Sequence, residues 1–292
     1  MTPPAANPQT AATKPGSDLP QCRQFTFEEY CDYDDGTDNR YELVQGYLQL
    51  MTSPAGLHIV ICEFLVYVFN TLFADGQTPL RAAKDVGVRI NENTSRIVDV
   101  CVNGEDRWQK LSQPGERGIF LLAQTPLLAV EVTSSNEKED YEAKYREYAA
   151  TGIPEYWIVN RKREHLRVCT SPYPGAPYRY REFVKGERIL SKVLPALALT
   201  VDEVLNPPAV RALIEQDRAQ QVAAIKQVQQ QAAAAIEQVQ QQAAASTQRA
   251  TVEIEQAQQQ VAASTQRTAE LEALLARYQS QFGNLDENPE NP

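Results

Sequence analysis

The abrupt change at Asn206-Pro207-Pro208 constrains this 292-residue chain more than any other feature. Beyond it the sequence is dominated by Gln and Ala, both good helix formers, and carries no glycine until Gly283. Ile225 and Ile236 stand 11 residues apart, as do Val228 and Val239, and the string AASTQR begins at Ala244 and again 18 residues later at Ala262. Both intervals are close to whole numbers of 3.6-residue turns. Ile254, Ala257, Val261, Ser264, Thr268, Leu271, Leu275 and Tyr278 then alternate spacings of three and four, a heptad seam. Residues 207–282 therefore read as a coiled-coil helix, with a disordered tail over 283–292. A seam of this kind needs a partner helix, so a homodimer or another coiled-coil oligomer is expected. Because many seam positions are only Ala, Ser or Thr, a single solvated helix stays open as the alternative.

Before the boundary, residues 1–22 are rich in Pro, Ala and Thr without apolar periodicity, which predicts a disordered leader. Residues 23–206 carry the globular fold, and the overall hydrophobic content of 42% permits a buried core there. In RYELVQGYLQLM, from Arg40, two apolar-rich halves flank Gln45-Gly46, as in a tight hairpin. From Leu57 to Phe73, Ile61, Leu65, Val68 and Leu72 form the stripe of a helix with one buried face. Val86–Ile90, Ile97–Val102 and Leu127–Val132 are short, β-branched and bounded by turn formers, as core strands are. Ser134 and Glu137 have capping-box spacing for a helix that runs to Ala150 and stops at Thr151-Gly152-Ile153-Pro154. Tyr156–Val159, Leu166–Thr170 and Tyr178–Val184 extend the strand set. Short strands mixed with two substantial helices predict an α/β domain around a mixed sheet.

Five scattered cysteines without a CxxC pair give neither a disulfide framework nor a zinc motif, and Cys62 and Cys101 read as small core residues. No apolar run approaches the roughly 20 residues needed to span a bilayer, and the N-terminus lacks the apolar centre of a secretory signal. The expected setting is the cytoplasm, with no membrane partner. The formal charge of −10 speaks against a nonspecific nucleic-acid binder. The acidity is spread along the chain: six basic face ten acidic residues from Pro207 onward, and 22 face 28 before it. Clustered carboxylates repel phosphate only until a divalent cation fills them.

Asp99 and Glu131 each interrupt an apolar strand, Ile97-Val98-Asp99-Val100 and Ala129-Val130-Glu131-Val132. A charge there is costly to bury unless it is paired or bound to metal. If the two strands are neighbours, both carboxylates can reach one hard cation such as Mg²⁺, which prefers oxygen ligands. The plainer alternative puts one or both at a strand end in solvent, or against an arginine. Asp140, Lys144 and Tyr148 follow at i, i+4 and i+8 and so share one helix face.

RYELVQG, the strand carrying Asp99, and LLAVEVTSSN leading through a helix to TGIPEYWIVN occur in an order that resembles the Uma-two family of restriction-endonuclease-like proteins, a branch of the PD-(D/E)XK nuclease superfamily. The resemblance covers roughly residues 25–205. It implies a restriction-endonuclease-like fold and a Mg²⁺- or Mn²⁺-dependent endonuclease acting on DNA. Asp99 and Glu131 would be metal ligands, joined by the carbonyl of Val132 and by Glu42 directly or through water. Lys144 would be the charge stabiliser, and His58, at the start of the first long helix, would contact phosphate or nucleophile. Two positions depart from the superfamily pattern: Thr133 stands where a lysine would follow the acid by two residues, and Val98 rather than proline precedes Asp99. Lys144, on the following helix, is the replacement the Uma-type pattern offers. A histidine at a helix start also serves as a cap or packing residue, and a solvated Asp140–Lys144 pair is the plain alternative to a catalytic lysine. His165 receives no role. A catalytically weak or inactive nuclease-fold protein, kept for binding or for assembly through its coiled coil, is the competing reading.

Overall fold

The computed structural model describes residues 23–74, 79–133 and 136–283. The expected leader, the expected tail apart from Gly283, and Ser134 of the expected capping box lie outside the described residues. The chain divides into two compact units, Met1–Ile214 and Glu215–Pro292.

In the first unit, α1 (Phe27–Cys31) opens with a capping box in which Thr26 and Glu29 satisfy each other's backbone N–H groups. β1 (Tyr41–Val44) and β2 (Tyr47–Leu50) form the expected hairpin. Both turn residues have positive φ, 51° at Gln45 and 85° at Gly46, the conformation of a type I′ turn. α2 (Gly56–Phe73) is followed by β3 (Leu80–Asn91) and β4 (Thr94–Gly104), a long antiparallel pair that extends well beyond the short apolar runs in each strand. Then come α3 (Glu105–Leu111), β5 (Ile119–Phe120), β6 (Leu128–Val132), a π-helical turn over Glu139–Ala143 that continues as α4 (Lys144–Thr151), and β7 (Glu155–Asn160). β8 (His165–Thr170), β9 (Arg179–Val184) and α5 (Val201–Leu205) complete the domain. α4 ends at Gly152, whose φ of 86° gives the left-handed C-cap.

Among the described residues nine strands form one mixed sheet, ordered β2-β1-β4-β6-β7-β8-β9, with β3 on β4 and β5 on β3. β6–β7 and β3–β5 are parallel; the other pairs are antiparallel. The fold is the mixed α/β sheet that the sequence leads one to expect, followed by a long C-terminal helix, α6 (Val210–Phe282).

Apolar layers cover both faces. α2 and α5 lie on one, against Val100, Val102, Leu128, Val130, Trp157 and Val159. Tyr148 and Ala149 of α4 lie on the other, against Cys101, Ala129, Tyr156 and Ile158. α2 buries Ile61, Leu65 and Phe69 completely, whereas Val68 and Leu72 of the expected stripe are half-buried, so the helix is turned slightly towards its aromatic side. Each fully buried side chain of this size stabilises by about 1.5–3 kcal/mol. By length and composition α2 is apolar enough to cross a membrane, yet this face is packed inside the core. Val210 and Leu213, at the start of α6, also pack against that core, which takes the first unit past Asn206 to Ile214.

Candidate active site

Alternation along β4 slips at Asp99. Val98 and Cys101 belong to the α4 layer, whereas Val100 and Val102 belong to the α2 layer. On the paired strand the same slip falls at Asp85, whose φ is 60°. The ladder between β4 and β6 runs from Val102↔Leu128 to Val100↔Val130 and goes no further. Just past that point Asp99 Oδ2 accepts the Val132 N–H at 2.8 Å, a side chain doing the work of the missing ladder bond. The strands carrying Asp99 and Glu131 are thus neighbours, and they diverge where the two acids lie.

Glu131 faces the α4 layer and is 2% exposed. Its Oε2 accepts from Lys144 Nζ at 2.8 Å and its Oε1 from the Tyr148 hydroxyl at 2.6 Å. Asp140 Oδ1 lies 3.7 Å from the same Nζ. Asp140, Lys144 and Tyr148 do share one face, and that face is turned inward, so the solvated Asp140–Lys144 pair is not what forms. Burial pushes the Glu131 carboxyl well up; Lys144 opposes this, while Asp99 and Asp140 add to it. Asp140 rises to about 6, again chiefly by burial. Burial pulls Lys144 down, but Glu131, Glu42, Asp140 and Asp99 outweigh it and keep the ammonium charged.

His58 approaches from α2, with Nε2 3.3 Å from Asp99 Oδ1. Burial lowers its pKa, but the hydrogen bond and charge of Asp99, with Asp85 and a hydrogen bond to the Val132 backbone, raise it overall. One turn on, Cys62 presents its thiol to the same spot: ligand atoms of His58, Cys62 and Asp99 lie within 4.8 Å of one another. Sequence reasoning treated Cys62 only as core; its place one helical turn after His58 was the available signal. Burial pushes the thiol pKa well up, so it stays protonated, a poor partner for a hard cation.

Glu42 is held by β4: its Oε2 accepts from Arg96 Nη1 at 2.9 Å and its Oε1 from the Ile97 N–H at 2.9 Å. Arg96, 1% exposed, was missed from sequence. It also holds Glu139 at 2.7 Å and grips Glu147 with two bonds of 2.7 and 3.0 Å, tying hairpin, sheet and α4 together beside the site. Glu155 of the PEYWIVN stretch is likewise internal, accepting from Trp157 Nε1, the Ser191 hydroxyl and the Lys192 and Val193 N–H groups. His165 bonds the Tyr141 hydroxyl at 2.8 Å.

The donor set suits a hard divalent cation. Asp99 and Glu131 on adjoining strands, with the Val132 carbonyl next to Glu131 in sequence, offer oxygen ligands. Glu131 and Asp140 share the Lys144 ammonium, and bound positive charge would offset the burial, together with the smaller repulsion from Asp99, that raises both acids.

The fold is similar to that of a solved structure from Anabaena variabilis ATCC 29413, described as "a putative nuclease belonging to DUF820". The match has a TM-score of 0.50 and 17% sequence identity, covering 62% of this chain and 97% of the other. A comparison with curated proteins gives no match. The family model Uma2, described as "Putative restriction endonuclease", matches residues 27–202, which span the sheet and every residue of the site. The chain belongs to the Uma2 family.

Proposed function

We propose that this protein is a Mg²⁺-dependent endodeoxyribonuclease, with Mn²⁺ as an alternative ion, that hydrolyses DNA phosphodiester bonds. The observation that carries this reading is the pairing of Lys144 Nζ with Glu131 at 2.8 Å, one residue from the Val132 N–H that Asp99 bonds at 2.8 Å. Held by Asp99, Glu131 and the Val132 carbonyl, the ion would polarise a phosphate and lower the pKa of a water. Lys144, kept charged by its carboxylates, would offset charge developing on the phosphate oxygens. Tyr148 fixes the Glu131 carboxylate from the far side. His58, anchored on Asp99, would meet the phosphate or the attacking water.

DNA as substrate is supported by local charge, despite the net −10. The β7–β8 turn begins two residues past Val159, the partner of Val132, and reads Arg161-Lys162-Arg163-Glu164, all exposed. Arg163 pairs with Glu137 and Glu164 with Lys185, whereas Arg161 and Lys162 enter no ion pair among the described residues. Two free cations at the site end of the sheet suit phosphate contacts.

Incubating purified protein with supercoiled and linear DNA in Mg²⁺, Mn²⁺ or EDTA tests this reading. Metal-dependent nicking that EDTA abolishes is expected. DNA left intact in every metal condition would overturn it in favour of a binding or assembly protein.

A further inference from the structure

In the second unit the apolar side chains of α6 are exposed; Ile225, Val228, Ile236, Val239, Val261 and Leu271 each show more than half of their surface. They fall on one continuous seam. From Ile225 through Val228, Ala232, Ile236, Val239 and Ala243 to Thr247 the steps are 3, 4, 4, 3, 4 and 4, an 11-residue repeat of 3.67 residues per turn. From Thr247 to Leu275 the steps alternate 3 and 4, a 7-residue repeat of 3.5 per turn. The seam contains no charged residue.

We propose that α6 pairs with α6 of a second copy as a parallel, in-register, two-stranded coiled coil from Ile225 to Leu275. Three features select this occupant. First, the polar seam residues are already satisfied within their own helix: the Thr247, Ser264 and Thr268 hydroxyls donate to the carbonyls of Ala243, Val261 and Ser264 at 2.9, 2.8 and 3.0 Å. Burying them against a partner strands no donor. Second, the two halves favour opposite supercoil senses, right-handed for the 11-residue repeat and left-handed for the 7-residue repeat. A second copy in parallel register changes pitch at the same place, whereas a reversed copy lays one pitch against the other. Third, in the heptad half Ile254, Val261 and Thr268 occupy a positions and Leu271 a d position, the β-branched a pattern of parallel dimers. The same frame puts Arg267 at g and Glu272 at the following e, which face each other across a parallel in-register pair with opposite charge.

Single spin labels at Gln230→Cys and, separately, Ala273→Cys, in the full chain with Cys22 and Cys31 replaced by serine, test orientation. The two positions lie about 65 Å apart along the helix. With helix axes about 10 Å apart, the parallel pairing predicts inter-label distances under about 40 Å for both proteins. A full-length antiparallel pair would give long distances for both, and would overturn the proposal. Light scattering must also show a dimer that Leu271→Asp converts to monomer; a monomeric parental chain at tens of micromolar would overturn it equally. Neither readout depends on DNA cleavage, so failure here is distinct from failure of the nuclease reading.

Discussion

At the residue scale the site is governed by how few counter-charges serve how many carboxyls. Lys144 answers Glu131 at 2.8 Å and Asp140 at 3.7 Å, while burial, with a smaller contribution from the Asp99 charge, raises both acids. Removing one partner of a buried ion pair leaves the other charge uncompensated and costs roughly 3–5 kcal/mol. Lys144→Ala is therefore expected to lower the thermal midpoint in EDTA and to recover part of the loss on adding Mg²⁺, because a ligand that binds only the folded state stabilises it. DNA cleavage should fall by orders of magnitude while metal affinity stays near the parental value. A variant with parental melting in EDTA and parental cleavage would make Lys144 a bystander. Asp99 and Glu131 stood out in the sequence because each is an acid inside an apolar strand, whereas Lys144 was singled out by the family resemblance and only the structure shows that its helix face turns inward. The hold of Arg96 on Glu42 was not legible, for the converse reason. The two are 54 residues apart and on different strands, and no local spacing reveals a contact that only the sheet creates.

At the element scale, the divergence of β4 from β6 makes room for the acids, and Arg96 holds the surrounding pieces in place. Its guanidinium bonds Glu42 on β1, Glu139 in the π-helical turn and Glu147 on α4, the last in a bidentate grip. Arg96→Met would leave these carboxylates without their shared cation, and a loss of about 3–5 kcal/mol in urea unfolding is expected. Arg96→Lys should restore little of it, since an ammonium cannot reproduce the planar fork. A change below about 1 kcal/mol for Arg96→Met would show that the network is too solvated to matter. The same strands show why sequence reading shortened β3 and β4. Arg81, Lys84 and Arg96 interrupt the apolar run without ending the strand, and period-2 patterning is weakest where alternation slips, as it does at Asp85 and Asp99. The hairpin at Gln45-Gly46 was legible because turn chemistry is local.

At the scale of the whole molecule, a mixed sheet accompanied by helices was readable from apolar runs, and α6 from its composition. The limit of the first unit at Ile214 was not, because Val210 and Leu213 look like any other apolar residues at a helix start until the core they join is known. Net acidity also hides local charge at this scale: Arg161 and Lys162 expose two cations in the β7–β8 turn. The central claim is that Asp99 and Glu131 together hold the ion on which cleavage depends. Glu131→Gln keeps the volume of the side chain and retains groups for Tyr148 to bond, but removes the anionic ligand. The most direct measurement is calorimetric Mn²⁺ titration of the parental protein and Glu131→Gln, with DNA nicking followed on the same samples. The account predicts that the parental chain binds Mn²⁺ and nicks DNA and that Glu131→Gln, still folded, loses both; undiminished binding and nicking by the variant would contradict it.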